Sequence, residues 1–274
     1  MAMISAAEGA MRDAPHDAAP RDWINLAGVR ISAVNLRSAA TRILDAVRDG
    51  ERGYVCIRDA HGIVRCQTDP ALQKVHNHAF LVTPDGMPVV WALRLSGHGE
   101  ADRVYGPDLM LALFDEGRQS GLRHFLYGGT PEVLAELESH LGARFPGAAI
   151  VGRHAPPFRP LSDAEEDDVV AEINGSGADI VWVGLGTPKQ EKWMAHIRPR
   201  LDAAMLMGVG AAFDFHAGVK RQAPRFIQRS GFEWLFRAAS EPRRLGARYA
   251  VTVPSFLGLL CAQVTGLRKF PLLE

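Results

Sequence analysis

The feature that most constrains this chain is a repeated pattern in which short apolar runs break at glycine or polar turn residues and give way to helical spacing. Tyr54-Val55-Cys56-Ile57-Arg58, Ala79 to Val82, Arg123 to Tyr127, Asp179 to Val183 and Ala203 to Val209 are such runs, and Ala148 to Gly152 is a shorter one. Strands that alternate with helices close most simply into a mostly parallel sheet with helices on both faces. The uninterrupted apolar core of Ile180-Val181-Trp182-Val183 suits a strand buried on both sides. In an open parallel sheet the loops after the strands gather at the carboxyl edge, where ligands bind. Polar residues just past Arg58, Val82, Tyr127, Val183 and Val209 are therefore expected at one site.

The chain has 274 residues, enough for one large domain or a domain with an appendage. Residues 1–22 mix Ala, Asp, Arg, Pro and His without a basic start and apolar centre, so they read as a disordered leader rather than a secretory signal. Residues 23–218 form the α/β core and 219–274 a basic, amphipathic helical appendage. Three cysteines without a CxxC pair argue against a disulfide framework or a zinc site and fit a reducing cytoplasm. No apolar run approaches the roughly 20 residues of a membrane span, so none is expected. Zero net charge conceals an asymmetry, because from Val219 onward ten basic residues face three acidic ones. A tail of that kind meets something anionic.

Around Leu81-Val82-Thr83-Pro84-Asp85-Gly86-Met87-Pro88 the pattern reads as strand, tight turn and helix, with Asp85 either capping the helix or facing the site as a base. Asp59 and His61 follow the first core strand. Arg103 precedes a helix and could be a plain surface charge. Gly128-Gly129-Thr130-Pro131 joins a strand to a helix N-terminus, an arrangement that offers backbone N–H groups to a phosphate. It is neither a GxGxxG nor a P-loop, which disfavours a dinucleotide-dependent dehydrogenase. Gly184 to Trp193 places Gly186, Lys189, Gln190 and Glu191 near the sheet edge, and Asp214 lies beyond the last core strand. Ser162-Asp163-Ala164-Glu165 is a capping box.

The tail interleaves aromatics with arginines, as in Phe232-Glu233-Trp234-Leu235-Phe236-Arg237, followed by Arg243-Arg244 and an apolar helix from Pro254 to Leu267 that is too short to span. This suits an interfacial region, with arginines for headgroups and Trp and Phe for the acyl boundary. The alternative is a helical appendage packed on its own core or on another copy in a homo-oligomer. Nucleic acid is not an expected partner, since no binding module accompanies the charge.

Taken together, LVTPDGMPVVWA, RVYGPDL, FLYGGTPEV, VGLGTPKQEKW, GVGAAFDFHAG and APRFIQRSGFEWLFRAASEPRRL resemble the WecG/TagA/CpsF family of bacterial glycosyltransferases, from about Ile24 to Arg268. The resemblance implies a Rossmann-like fold and an inverting, metal-independent transfer of a sugar from a UDP-sugar, with no cofactor. The acceptor would be a polyprenyl-diphosphate-linked saccharide at the inner face of the cytoplasmic membrane, where the protein would be peripherally bound. Asp85 matches the family's base and Gln190 its PKQE position. Arg103, the Gly128-Gly129 backbone and tail arginines such as Arg237 and Arg244 would stabilise the leaving diphosphate. Asp214 would contact the nucleoside.

One departure stands out. Where better-known members carry Thr-x-Asn after the first core strand, this chain has Ile57-Arg58-Asp59, then Ala60-His61. The expectation is an exopolysaccharide-type transferase whose sugar contacts pass to Asp59 and His61, with Asp59 a rival base. A UDP-binding scaffold subunit that has lost catalysis is the alternative.

Overall fold

The structure is a computed structural model and describes residues 22–240 and 242–273. Apart from Asp22, the leader expected over 1–22 lies outside the described residues. A hairpin of β1 (Trp23–Leu26) and β2 (Val29–Ser32) opens the fold, followed by α1 (Leu36–Arg48), β3 (Gly53–Arg58), α2 (Ala60–Cys66), α3 (Pro70–Asn77) and β4 (Leu81–Pro84). Then come α4 (Met87–Leu95), α5 (Gly106–Gly117), β5 (Arg123–Gly128), α6 (Pro131–Arg144), β6 (Ala149–His154), α7 (Asp163–Ser176), β7 (Ile180–Gly184), α8 (Lys189–Ile197), β8 (Met205–Gly208) and α9 (Ala212–His216). The tail folds into α10 (Arg225–Ser230), α11 (Glu233–Ser240) and α12 (Pro242–Val264).

Strands β3 to β8 form one parallel sheet in the order β4-β3-β8-β7-β5-β6, as the strand and helix alternation requires. Alternating side chains divide the apolar strands between two layers. Val181 and Val183 pack with Ile63 and Cys66 of α2, whereas Ile180 and Trp182 pack with Leu113 of α5 and Phe213 of α9. Each such fully buried side chain contributes roughly 1.5–3 kcal/mol. A polar pair stands among these apolar side chains, where Trp182 Nε1 donates to His124 Nδ1 at 3.1 Å. The capping box of α7 forms as the sequence indicates, with Ser162 and Glu165 exchanging hydrogen bonds.

Two features of this topology make the site. Pairings of Arg58 with Pro84, and of Gly208 with both Cys56 and Val183, bring the ends of β4, β3, β8 and β7 level. The chain then leaves the neighbouring strands β3 and β8 toward opposite faces, through α2 and α9, which opens a crevice at the carboxyl edge. The β1–β2 hairpin covers the outer edge of β4, where Val82 N donates to Ser32 Oγ at 3.1 Å.

The tail corrects one expectation. The apolar helix begins at Pro242, not Pro254, and its Leu245–Val264 segment, with mean hydropathy 1.4, is long and apolar enough to cross a membrane by length and composition. Pro254 sits inside the helix at an exposed position, so the carbonyl it leaves without a helical partner belongs to Ala250, also exposed to solvent. One stripe, Leu245, Tyr249, Thr252 and Phe256, is buried, while Val251, Leu257 and Val264 on other faces are exposed. The end of the helix is fastened to the hairpin, since Gln263 Oε1 accepts from Ala27 N and Gln263 Nε2 donates to Asn25 O, both at 2.7 Å. Helix α12 therefore lies along the core with one face committed to protein.

Candidate active site

The crevice is a cleft of about 710 Å³, within the roughly 300–1,000 Å³ usual for small-molecule sites. Ile57 and Asp59 reach it from β3, Asp85 from β4, Gly186 and Gln190 from the β7–α8 connection, and Gly208 to Gly210 from β8. The tail supplies Lys220, Arg221 and Arg248. Four separate strand ends and the appendage thus build one site.

Asp85 is not the cap of its helix. Gly86 occupies the N-cap of α4 with φ +86°, a conformation open to glycine, and makes no side-chain cap bond. The turn is fixed by backbone, because Asp85 N donates to Arg58 O across the sheet at 2.8 Å. The carboxylate is then left for the cleft, where Oδ1 accepts from Arg103 Nε at 2.8 Å. Arg103 is no plain surface charge, being 10% exposed, and it also binds Glu233 of α11 at 2.7 Å and Gln228 of α10 at 3.3 Å. Burial disfavours its charged form, but the carboxylates of Asp85 and Glu233 outweigh this and raise the guanidinium above its ordinary value.

Asp59 has a different setting. One oxygen accepts from Gly62 N at 2.9 Å as the cap of α2, and the other meets Arg248 of α12 at 3.5 Å. Burial would raise its carboxyl, but Arg248, Arg58 and the Gly62 amide together hold it below the usual carboxylate value. Its oxygens are committed to structure, so it suits a fixed anionic wall better than a proton acceptor. His61 Nδ1 lies 3.0 Å from Thr252 Oγ1 of α12. Burial, then the Arg248 charge, push this imidazole down to about 4, so it is neutral near pH 7.

Gln190 is buried and lines the cleft, with Oε1 accepting from Gly186 N at 3.1 Å and Nε2 donating to Glu191 at 3.2 Å. Glu191 turns inward, forming an ion pair with Arg58 in which both side chains are essentially inaccessible. Burial would raise the Glu191 carboxyl, but the guanidinium prevails and lowers it. Thr187 also donates to Glu191, at 2.9 Å. This buried pair ties the β7–α8 connection to the end of β3 and so fixes Gln190.

Other expected residues lie elsewhere. Lys189 is exposed and outside the cleft lining. Asp214 sits within α9 and binds Lys220 at 2.6 Å, so it reaches the cleft through that lysine. Gly128, Gly129 and Thr130 line neither the cleft nor the neighbouring cavities. A side chain at Gly128 would collide with the backbone of Gly184, and Thr130 accepts from Val133 N as the cap of α6. Gly128 thus serves close strand packing, Gly129 turns the chain with φ +70°, and the helix end is already capped. The side chains of Arg237 and Arg244 lie outside the described residues. Sequence reasoning passed over Arg248 and Glu233, whose only signal was their place in a charged tail. A family model described as the glycosyl transferase WecG/TagA/CpsF family matches residues 24–270. The chain belongs to the WecG/TagA/CpsF family of glycosyltransferases, which act in the synthesis of cell-surface polysaccharides.

Proposed function

We propose that this protein transfers a sugar, with inversion, from a UDP-sugar to a polyprenyl-diphosphate-linked saccharide, as an exopolysaccharide-type enzyme bound peripherally to the inner membrane face. The observation that carries this reading is the position of Asp85, a carboxylate freed from capping and held at the meeting point of two unlike spaces. One is the polar cleft under the strand ends, and the other is a smaller apolar cavity between α4 and α12. Asp59, Asp85 and Glu233 line both.

Inversion needs one base on the face opposite the leaving group. Asp85 takes the proton of the acceptor hydroxyl, the oxygen attacks the anomeric carbon, and UDP departs with the bonding pair. Arg248, Lys220 and Arg221 supply positive charge to the departing diphosphate, the part that a metal plays in other transferases. Gln190, fixed by Gly186 and Glu191, presents a rigid amide to the sugar or nucleotide. Ile57 lines the cleft where better-known members of the family carry a threonine hydroxyl, which supports a donor sugar different from theirs. The apolar outer face of α12 and its flanking Arg243, Arg268 and Lys269 support membrane contact.

A screen of UDP-sugars with a polyprenyl-diphosphate-linked sugar tests the reading by UDP release. One donor should turn over with the wild-type chain. UDP binding without turnover on any such acceptor would instead support the scaffold alternative.

A further inference from the structure

The apolar cavity has a volume of about 220 Å³, smaller than the roughly 300–1,000 Å³ of a whole ligand site. Its walls are Met87 and Trp91 of α4, Trp234 of α11, and Val253, Phe256 and Leu260 of α12. At one end it shares Asp59, Asp85 and Glu233 with the polar cleft. At the other, Trp91 and Leu257 both line it and are 46% and 59% exposed, which marks its rim. Beyond that rim runs the outer face of α12, and the sequence carries no charged residue from Tyr249 to Leu267.

Resting on the transferase reading above, we infer that this cavity is a subsite for the isoprenoid segment of the acceptor nearest its diphosphate. Its size admits a piece of chain rather than a complete ligand. A sugar nucleotide has no use for such walls, whereas a branched hydrocarbon gains about 25 cal/mol for every Å² it removes from water. The two aromatic walls, Trp91 and Trp234, suit the flat trisubstituted double bonds of an isoprenoid, and the remainder of the chain passes over the rim onto the uncharged face of α12 toward the lipid. The acceptor hydroxyl is then delivered to Asp85 from the membrane side while the nucleotide occupies the polar cleft. The cavity exists only with the tail docked, since one wall belongs to α4 and the other to α11 and α12.

The test is a titration of the full chain with farnesyl diphosphate, with inorganic diphosphate as control, read by intrinsic tryptophan fluorescence, to which Trp91 and Trp234 in the cavity wall contribute. Farnesyl diphosphate should give a saturable change at a concentration at least tenfold below that of any response to inorganic diphosphate. Val253→Phe and Leu260→Phe, which fill the cavity, should weaken that binding at least tenfold while leaving UDP affinity unchanged, and the kept UDP affinity certifies the fold. Equal responses to both diphosphates, or wild-type affinity for farnesyl diphosphate in both filled variants, would overturn the subsite. The transferase reading is separated by turnover. Chain-dependent binding with no UDP release on any polyprenyl acceptor sinks that reading and spares the cavity. Turnover that is indifferent to acceptor chain length does the reverse.

Discussion

Arg103 holds Asp85 and Glu233 with a single guanidinium, at 2.8 Å from the carboxylate of the core and 2.7 Å from that of the tail. One side chain therefore couples the proposed base to the closure of the appendage. Gln228 extends the same coupling, since it accepts from Arg103 and donates to Ala223 O at 2.7 Å.

Asp85→Asn should keep the fold and UDP binding but lower turnover by about 10²–10⁴, the usual contribution of a general base. Turnover is read as UDP release and binding by calorimetry. Asp59→Asn should cost less turnover and more stability, because that carboxylate caps α2 and pairs with Arg248.

Arg103→Met leaves Asp85 and Glu233 facing each other without their shared cation. The tail should loosen by about 2–4 kcal/mol, somewhat below the cost of breaking a fully buried pair. Limited proteolysis should then cut between residues 219 and 240 at a protease concentration that spares the wild-type chain. Unchanged protection would remove Arg103 from its coupling role.

Glu191→Leu strands the buried Arg58 charge and should destabilise the protein by roughly 3–5 kcal/mol in urea unfolding. Adding Arg58→Met should recover much of that loss, since an apolar pair of similar volume is often as stable as a buried ion pair. Turnover in the double variant should remain low, because Gln190 loses its hydrogen bond to Glu191.

Acid should weaken the fold in a defined window. Burial pushes His124 down to about 4 in the folded chain, against an ordinary value near 6.5, and Trp182 requires its Nδ1 as an acceptor. Between these values the unfolded chain binds the additional proton, so stability is complete above about pH 6.5 and falls as the pH drops toward 4. For this fully buried ring the loss is on the order of 2–3 kcal/mol. His61, also held at about 4, adds a loss of the same sign. His124→Gln, which keeps an acceptor for Trp182, should flatten the dependence of the urea midpoint on pH within that window.

Membrane contact by α12 predicts that Val251→Glu with Val264→Glu, both exposed positions, lowers binding to anionic vesicles by about tenfold or more. Sedimentation with vesicles measures this, and UDP binding should be unaffected. Equal sedimentation would place the lipid contact elsewhere.

The strand ends were legible in the sequence because a parallel strand buried on both faces must be apolar throughout, and because it stops where the chain turns at a glycine or polar residue. Ile180 to Val183 ending at Gly184 follows from that alone, whereas the apolar run read as stopping at Val82 continues as strand through Thr83 to Pro84. The meeting of Asp59, Asp85 and Gln190 in one cleft was legible too, since parallel strands send their following loops to the same edge. Local pattern had less to say about partners. It left Asp85 open between cap and base, and only the φ of Gly86 and the Arg58–Asp85 backbone bond show that the cap lies one residue further on. Gly128 and Gly129 had the local form of a phosphate loop, yet the room beside Gly128 is taken by Gly184 and the helix that follows is capped by Thr130. The N-terminus of α12 was misplaced because proline often starts a helix, whereas an exposed proline within one costs less than the packing of Leu245 and Tyr249 returns. Sequence determined the sheet and its active edge through short-range periodicity. Which tail residues complete the site, Arg248 against Asp59 and Glu233 against Arg103, was decided by contacts across well over a hundred residues of chain, which no local pattern encodes.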